Sequence, residues 1–221
     1  MNQPKIRIED YTYELPDERI AKYPLDQRDK SKLLIYNKGI ISQEQFSSIP
    51  SFIPEGSMMV FNNTKVVPAR LFFKKDTGAL IEIFCLEPVA PSDYSVSFAC
   101  ISECSWKTII GNVKKWKGGY LSFFVPEGAD SDVAGLNLKA ELIEKQDNSY
   151  IVRFFWEGGH PFSKVLELCG QVPIPPYLNR ETEAVDLERY QTLYAKFRGS
   201  VAAPTAGLHF TEDVLGKIRA K

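Results

Sequence analysis

A chain of 221 residues, 44% hydrophobic and 25% charged, is long enough to bury a core, as one large domain or two small ones. Its formal net charge of −1 excludes a strongly basic nucleic-acid binder, so any such contact has to come from a local patch. Four cysteines (Cys85, Cys100, Cys104, Cys169) without C-x-x-C spacing, and only two histidines, argue against a metal site; the cysteines read as small buried apolar residues in a reducing compartment.

The start, Met1–Lys5, is polar and no apolar stretch follows it, so no signal peptide is expected. No run reaches the length of a membrane span, and the cytoplasm is the expected location. Residues 15–24 read as a short helix, with Pro16 in its first turn, acids behind it and Pro24 as its stop. Leu33-Leu34-Ile35-Tyr36, a turn at Asn37-Lys38-Gly39 and Ile40-Ile41 predict a hairpin. Met58-Met59-Val60-Phe61 predicts a strand buried on both faces.

From residue 66 to 156 strand-like runs follow one another, at 70–73, 80–84, 94–98, 120–124, 138–143 and 150–155, separated by turns rich in glycine, proline and aspartate. This texture predicts an antiparallel barrel or sandwich. After Gly158-Gly159 the pattern turns helical: a short helix from Pro161 to Leu168 closed by Gly170, and an extended Pro173–Tyr177. A helix over 187–197 then buries Leu187, Tyr190, Leu193, Tyr194 and Phe197. A short strand at 201–203 and a helix capped by Thr211 complete the chain. The expected fold is a mixed α/β domain with an inserted small antiparallel β-barrel. The expected division is 1–69, 70–157 for the barrel, and 158–221.

Three stretches carry candidate chemistry. Asn62-Asn63-Thr64-Lys65 places two amides at the carboxyl end of an apolar run, where α/β sheets hold ligand groups; an Asx turn is the structural alternative. Residues 199–210 combine Pro204 and Gly207, which let backbone approach a ligand, with the Thr205 hydroxyl and the His209 imidazole; a tight turn with a structural histidine is the alternative. Trp106-Lys107 and Lys114-Lys115-Trp116-Lys117 mix cations and indoles, with four lysines and no acid between Trp106 and Tyr120. They fit either RNA contact or a lysine-protected strand edge. Tyr190 and Tyr194 sit one helical turn apart in this reading, and Arg28-Asp29-Lys30-Ser31-Lys32 is a charged loop. A glycine-rich dinucleotide or methyltransferase loop, a P-loop and a G-x-S-x-G elbow are all missing from the sequence.

Five blocks in order resemble the S-adenosylmethionine:tRNA ribosyltransferase-isomerase family of queuosine biosynthesis. They are Leu15-Pro16 through Tyr23-Pro24 with Arg28-Asp29, Val60–Leu71, Pro175–Arg180, Arg189–Ala195, and Ser200–Thr211. The resemblance is weak from about residue 77 to 147. It implies an α/β enzyme carrying an inserted barrel, a monomer without a permanent cofactor. The resemblance further implies that the ribosyl group of a co-substrate, S-adenosylmethionine, is moved onto the aminomethyl group of 7-aminomethyl-7-deazaguanine, at the wobble position of a tRNA with a GUN-type anticodon. The implied products are epoxyqueuosine-tRNA, adenine and methionine. Within that resemblance His209 and Thr205 are the expected catalytic residues. Asn62, Asn63, Arg70, Pro204, Gly207, Tyr190 and Tyr194 are the expected substrate ligands, and Lys114, Lys115, Trp116 and Lys117 the expected tRNA contacts. The family continues past the position of Lys221, so a chain missing part of its site is expected. A non-catalytic RNA-binding protein of the same fold is the rival reading, and a methyltransferase is disfavoured by the missing glycine loop.

Overall fold

The structure is a computed structural model that describes residues 6–221. The polar start read as lacking a signal peptide lies outside the described residues. The elements in chain order are β1 (Lys32–Asn37), β2 (Ile40–Gln45), α1 (Ile49–Phe52), β3 (Thr64–Val66), β4 (Arg70–Lys74), β5 (Leu80–Ala90), α2 (Tyr94–Ala99) and β6 (Glu103–Gly111). They continue with β7 (Tyr120–Phe123), α3 (Ser131–Gly135), β8 (Lys139–Lys145), β9 (Tyr150–Phe155), α4 (Phe162–Cys169), α5 (Ala184–Arg189), β10 (Phe197–Ser200) and α6 (Glu212–Arg219).

Strands β4 to β9 close into a six-stranded antiparallel barrel in the order β4-β5-β6-β9-β8-β7. Alternation explains the closure. Leu71 and Phe73 on β4, Ile81 and Ile83 on β5, Trp106 on β6, Leu121 on β7, Ala140 on β8 and Val152 and Phe154 on β9 are each fully buried. A barrel this narrow is filled by its own inward side chains. Helix α4 caps one end: Phe162 packs its ring 5.6 Å from Trp106, 5.5 Å from Phe154 and 5.2 Å from Trp156.

The segments before and after the barrel meet each other. Strand β3 pairs in parallel with β10, Phe197 opposite Thr64 and Ser200 opposite Val66. Gln191 extends the pairing with its side chain, accepting from Val66 N–H at 3.0 Å and donating to Val66 C=O at 2.8 Å. Phe46, Phe210, Val214 and Leu215 form a core with Leu33, Phe61 and Tyr194 against it, so residues far apart in sequence share one apolar cluster. The fold is a mixed α/β arrangement interrupted by the barrel. Gly170 is required where the chain leaves α4, because a Cβ there would overlap the Pro68 carbonyl oxygen.

Several expectations are corrected. Residues 94–98 are helical: Asp93 accepts from Val96 N–H at 3.0 Å as an N-cap, and Tyr94 and Phe98 lie on one face against Trp106. Tyr and Phe four apart satisfy a helical face as well as a strand's. Strand β6 supplies the missing barrel strand, in the stretch read for its lysines. Residues 15–24 hold only a short 3-10 turn at Asp17–Arg19, since so brief a segment does not repay helix nucleation. The Met58–Phe61 run is not a strand. Met58 and Val60 are 90% and 89% exposed, and among the described residues no strand pairs with it.

The helix expected over 187–197 is not formed as such: α5 ends at Arg189, so Tyr190 and Tyr194 share no helical face, and Leu187, Leu193 and Phe197 are exposed rather than buried. Glu183 and Asp186 form a capping box at the start of α5, and Arg28 takes the carbonyls of Glu188 and Gln191 at its end. The short strand falls at 197–200 rather than 201–203.

Candidate active site

Two cavities face each other across one wall. The barrel-side cavity, about 570 Å³, lies between the outer face of β4–β6 and the 173–175 and 201–205 segments, with Arg70, Glu82, Phe84, Tyr190 and Thr205 in its lining. The second, about 470 Å³, is bounded by Tyr23, Arg28, Arg180, Tyr190, Thr205 and His209. Pro175, Tyr190 and Thr205 line both. Both volumes suit a small-molecule site.

The wall is built by a set of clamps. Arg28 donates to the carbonyls of Gln191 (2.7 Å), Leu208 (3.1 Å) and Glu188 (3.0 Å), tying the end of α5 to the 205–209 turn. Its neighbour Asp29 accepts from the Thr211 hydroxyl at 3.1 Å, while that hydroxyl caps α6. The charged loop at 28–32 is therefore a brace that positions Thr205 and His209. Composition alone gave it no such weight; its inclusion in the first resemblance block was the available signal. Arg180 forks onto Asp186 with two bonds of 2.7 Å and covers the Tyr23 ring at 4.6 Å, and Tyr23 donates to Glu183 at 2.7 Å. These contacts hold the 22–25 segment over the second cavity.

His209 is half-buried, with its ring 5.3 Å from Phe46. Burial lowers its pKa below the ordinary 6.5, the Arg28 charge adds to that, and a hydrogen bond with the Arg28 backbone partly opposes it. The imidazole is thus neutral at pH 7 and able to accept a proton. Burial raises the Tyr190 and Tyr194 phenols above 10, so both remain protonated donors.

The other candidates separate. Arg70 lines the barrel-side cavity and pairs with Glu82 at 2.7 Å. Asn62 is engaged locally: its Oδ1 accepts from Thr64 N–H (2.9 Å) and from the Thr64 hydroxyl (2.6 Å), which is the Asx turn. Asn63 and Tyr194 line a third cavity of about 550 Å³, with Met59, Phe61 and Leu215. Gly207 sits beneath Tyr194, and a Cβ there would overlap the phenol oxygen. Pro204 N-caps the 3-10 turn Thr205–His209.

Trp116 is corrected as an RNA contact. It is 3% exposed and its indole donates to Gly119 C=O at 3.1 Å, so neither face is free to stack. Trp106 is fully buried. Lys114, Lys115 and Lys117 are exposed beside it. Among the described residues no group of three or more His, Cys, Asp or Glu is placed to hold a metal, and no helix is long and apolar enough to cross a membrane. Cys85, Cys104 and Cys169 are buried and unbonded, and burial pushes their thiols well above the ordinary range, Cys169 to about 12.

The sequence pattern of the family described as queuosine biosynthesis protein matches residues 8–221. The chain is 40% identical over 216 residues to the S-adenosylmethionine:tRNA ribosyltransferase-isomerase of Trichlorobacter lovleyi, covering 97% of this chain and 57% of that protein. The protein of the same name from Aquifex aeolicus is 37% identical over 219 residues, 98% of this chain and 58% of that one. Among solved structures, the S-adenosylmethionine tRNA ribosyltransferase of Thermotoga maritima is 26% identical with a TM-score of 0.30, over 95% of this chain and 53% of that chain. The chain therefore spans somewhat more than half the length of the relatives it matches.

Proposed function

The chain belongs to the queuosine biosynthesis protein family, and we propose that it serves the reaction its relatives are named for, transfer and isomerisation of the ribosyl group of S-adenosylmethionine onto tRNA. In this reading the acceptor is the aminomethyl group of 7-aminomethyl-7-deazaguanine at the wobble position of a GUN-type anticodon, and the products are epoxyqueuosine-tRNA, adenine and methionine. The protein works in the cytoplasm as a monomer, with S-adenosylmethionine as a consumed co-substrate and no resident cofactor. Residues 70–157 act as an inserted domain.

The observation that supports this reading is the shared wall. A two-substrate transfer needs two adjoining cavities whose contents meet, and Tyr190 and Thr205 belong to both. The second cavity is lined by Lys22, Arg28, Lys32, Arg180, Arg189 and His209 and by no carboxylate, which suits an anionic polynucleotide. The chemistry then assigns roles. The sulfonium acidifies the adjacent ribose carbon, and a neutral His209 removes its proton. Thr205, between the cavities, orients the sugar. The acceptor amine attacks as the free base, which a desolvated cavity favours. Lys114, Lys115 and Lys117 supply contacts to phosphates farther from the site.

Product analysis tests the proposal. S-adenosylmethionine incubated with tRNA carrying the aminomethyl base should yield adenine and methionine in equal amounts. S-adenosylhomocysteine instead would mean methyl transfer, and tRNA binding without either product would favour the non-catalytic RNA-binding reading.

A further inference from the structure

The Arg70–Glu82 pair stands in a position that an ordinary cross-strand ion pair does not need. Arg70, Glu82 and Phe84 point outward from β4 and β5, while their neighbours Leu71, Ile81 and Ile83 point into the barrel. Outward barrel positions commonly face water. These three face the floor of the barrel-side cavity, and the side chains of Arg70 and Glu82 are only 24% and 34% exposed. The ion pair uses Arg70 Nε and Glu82 Oε1, 2.7 Å apart. The pair therefore presents a guanidinium beside a carboxylate at the floor of the cavity.

Gly111 gives a second, independent observation. It sits directly opposite Glu82 in the β5–β6 register. A Cβ at 111 would stand 3.2 Å from Glu82 Cβ and 3.3 Å from Oε2. Glycine inside a strand weakens it and often marks a place where something else approaches closely. Here it leaves the Glu82 carboxylate room above the strand.

Resting on the ribosyl-transfer reading above, we propose that Arg70 and Glu82 together recognise the zwitterionic α-amino-acid end of the sulfonium donor, Glu82 accepting from its ammonium and Arg70 donating to its carboxylate. The alternation of charge matches: the cavity offers a cation and an anion side by side, and an α-amino acid offers an anion and a cation side by side. The lining of the other cavity carries several cations and no carboxylate, so it offers no anion to pair with an ammonium. Phe84 and Tyr190 in the same lining provide ring faces for the sulfonium, whose charge an aromatic face attracts. Glu82 is thereby a specificity-determining residue that distinguishes the intact donor from nucleosides lacking the amino acid.

The test is calorimetric binding of three ligands to the protein. S-adenosylmethionine carries both charged groups, decarboxylated S-adenosylmethionine lacks the carboxylate, and 5′-methylthioadenosine lacks the whole amino acid and, as a thioether, the sulfonium charge as well, so the part of its deficit that the Glu82 and Arg70 variants abolish is what reports the amino-acid contact. The unaltered protein should bind S-adenosylmethionine at least about tenfold more tightly than 5′-methylthioadenosine, the scale of a charged hydrogen bond. Glu82→Gln should remove most of that preference and weaken the decarboxylated ligand too. Arg70→Gln should weaken S-adenosylmethionine and leave the decarboxylated ligand unchanged. The double variant R70E/E82R keeps a cross-strand pair and hence the barrel, and should lose the preference while keeping its melting temperature. Equal affinity of the unaltered protein for S-adenosylmethionine and 5′-methylthioadenosine, or a preference that survives the swap, would overturn the proposal and leave the ribosyl-transfer reading standing. Failure to bind S-adenosylmethionine at all would overturn both.

Discussion

Gly207 is fixed by its neighbours: Tyr194 Oη lies where a Cβ would go, and Thr192 Cγ2 would be 3.0 Å from it. Gly207→Ala should therefore cost about 1–3 kcal/mol, the usual penalty of overpacking. Because the nearest clash is with a phenol oxygen, adding Tyr194→Phe should recover a large part of the loss. Chemical denaturation of the two single variants and the pair measures this coupling, and additive losses would show that Tyr194 is not the obstacle. At His209 the expected effects are on rate and on pH. His209→Gln should lower adenine release about 10²–10⁴-fold, the range for a general base. A base must be unprotonated, so the rate of the unaltered protein should fall as pH drops through a value below 6.5. The variant should lack that acid limb. The same depressed pKa contributes to stability: the contribution is present above 6.5, the unfolded value, and is lost as pH falls through the folded one.

Helix α5 and the segment before it depend on one buried pair. Arg180 is 9% and Asp186 0% exposed at the side chain, and Asp186 also accepts from Glu183 N–H at 2.8 Å. Arg180's hydrogen bonds lead the causes that hold the Asp186 carboxyl below the ordinary range. Asp186→Ala leaves a buried guanidinium unpaired and should cost about 3–5 kcal/mol. Hydrogen exchange over residues 172–190 should register the loss. Trp106, Trp116 and Trp156 are all buried in the barrel cluster, so their emission reports the barrel separately and should keep its unfolding midpoint. Equal shifts in both would show that α5 and the barrel unfold as one unit.

The same elements show what the sequence could carry. Alternation at 70–73, 80–84 and 150–155 identified barrel strands because one face is fully buried. Residues 94–98 misled because a Tyr–Phe spacing of four fits two periodicities, and the capping Asp93 decides between them. Met58–Phe61 misled because apolar content alone does not supply a neighbouring strand. At the site, the candidates in 190–209 were legible from residue type and from resemblance. Glu82, Gly111 and Gln191 were not, because only the closed barrel and the β3–β10 pairing bring them to their partners.

At the scale of the whole molecule the two halves of the chain differ. The barrel is closed and its strands have no free edge, while β3 and β10 form a parallel pair of three and four residues. Parallel strands are ordinarily buried on both faces within larger sheets. Beside this pair Met58 and Val60 are 90% and 89% exposed and Phe197 57%, and across the hairpin Leu34, Tyr36 and Ile40 exceed 70%. The relatives continue for more than two-fifths of their own length outside the matched region. Orientation of bound reactants is sensitive to small displacements, with about 1 Å costing on the order of 10²-fold. Adenine release by these 221 residues alone should therefore be at least about 10²-fold slower than by a chimera that appends the remaining part of the Aquifex aeolicus relative. Binding of tRNA should differ far less, since the phosphate contacts proposed for Lys114, Lys115 and Lys117 would be largely independent of the cavities. Rates of adenine release measured side by side decide the matter: equal rates would mean that the two cavities described above suffice for catalysis.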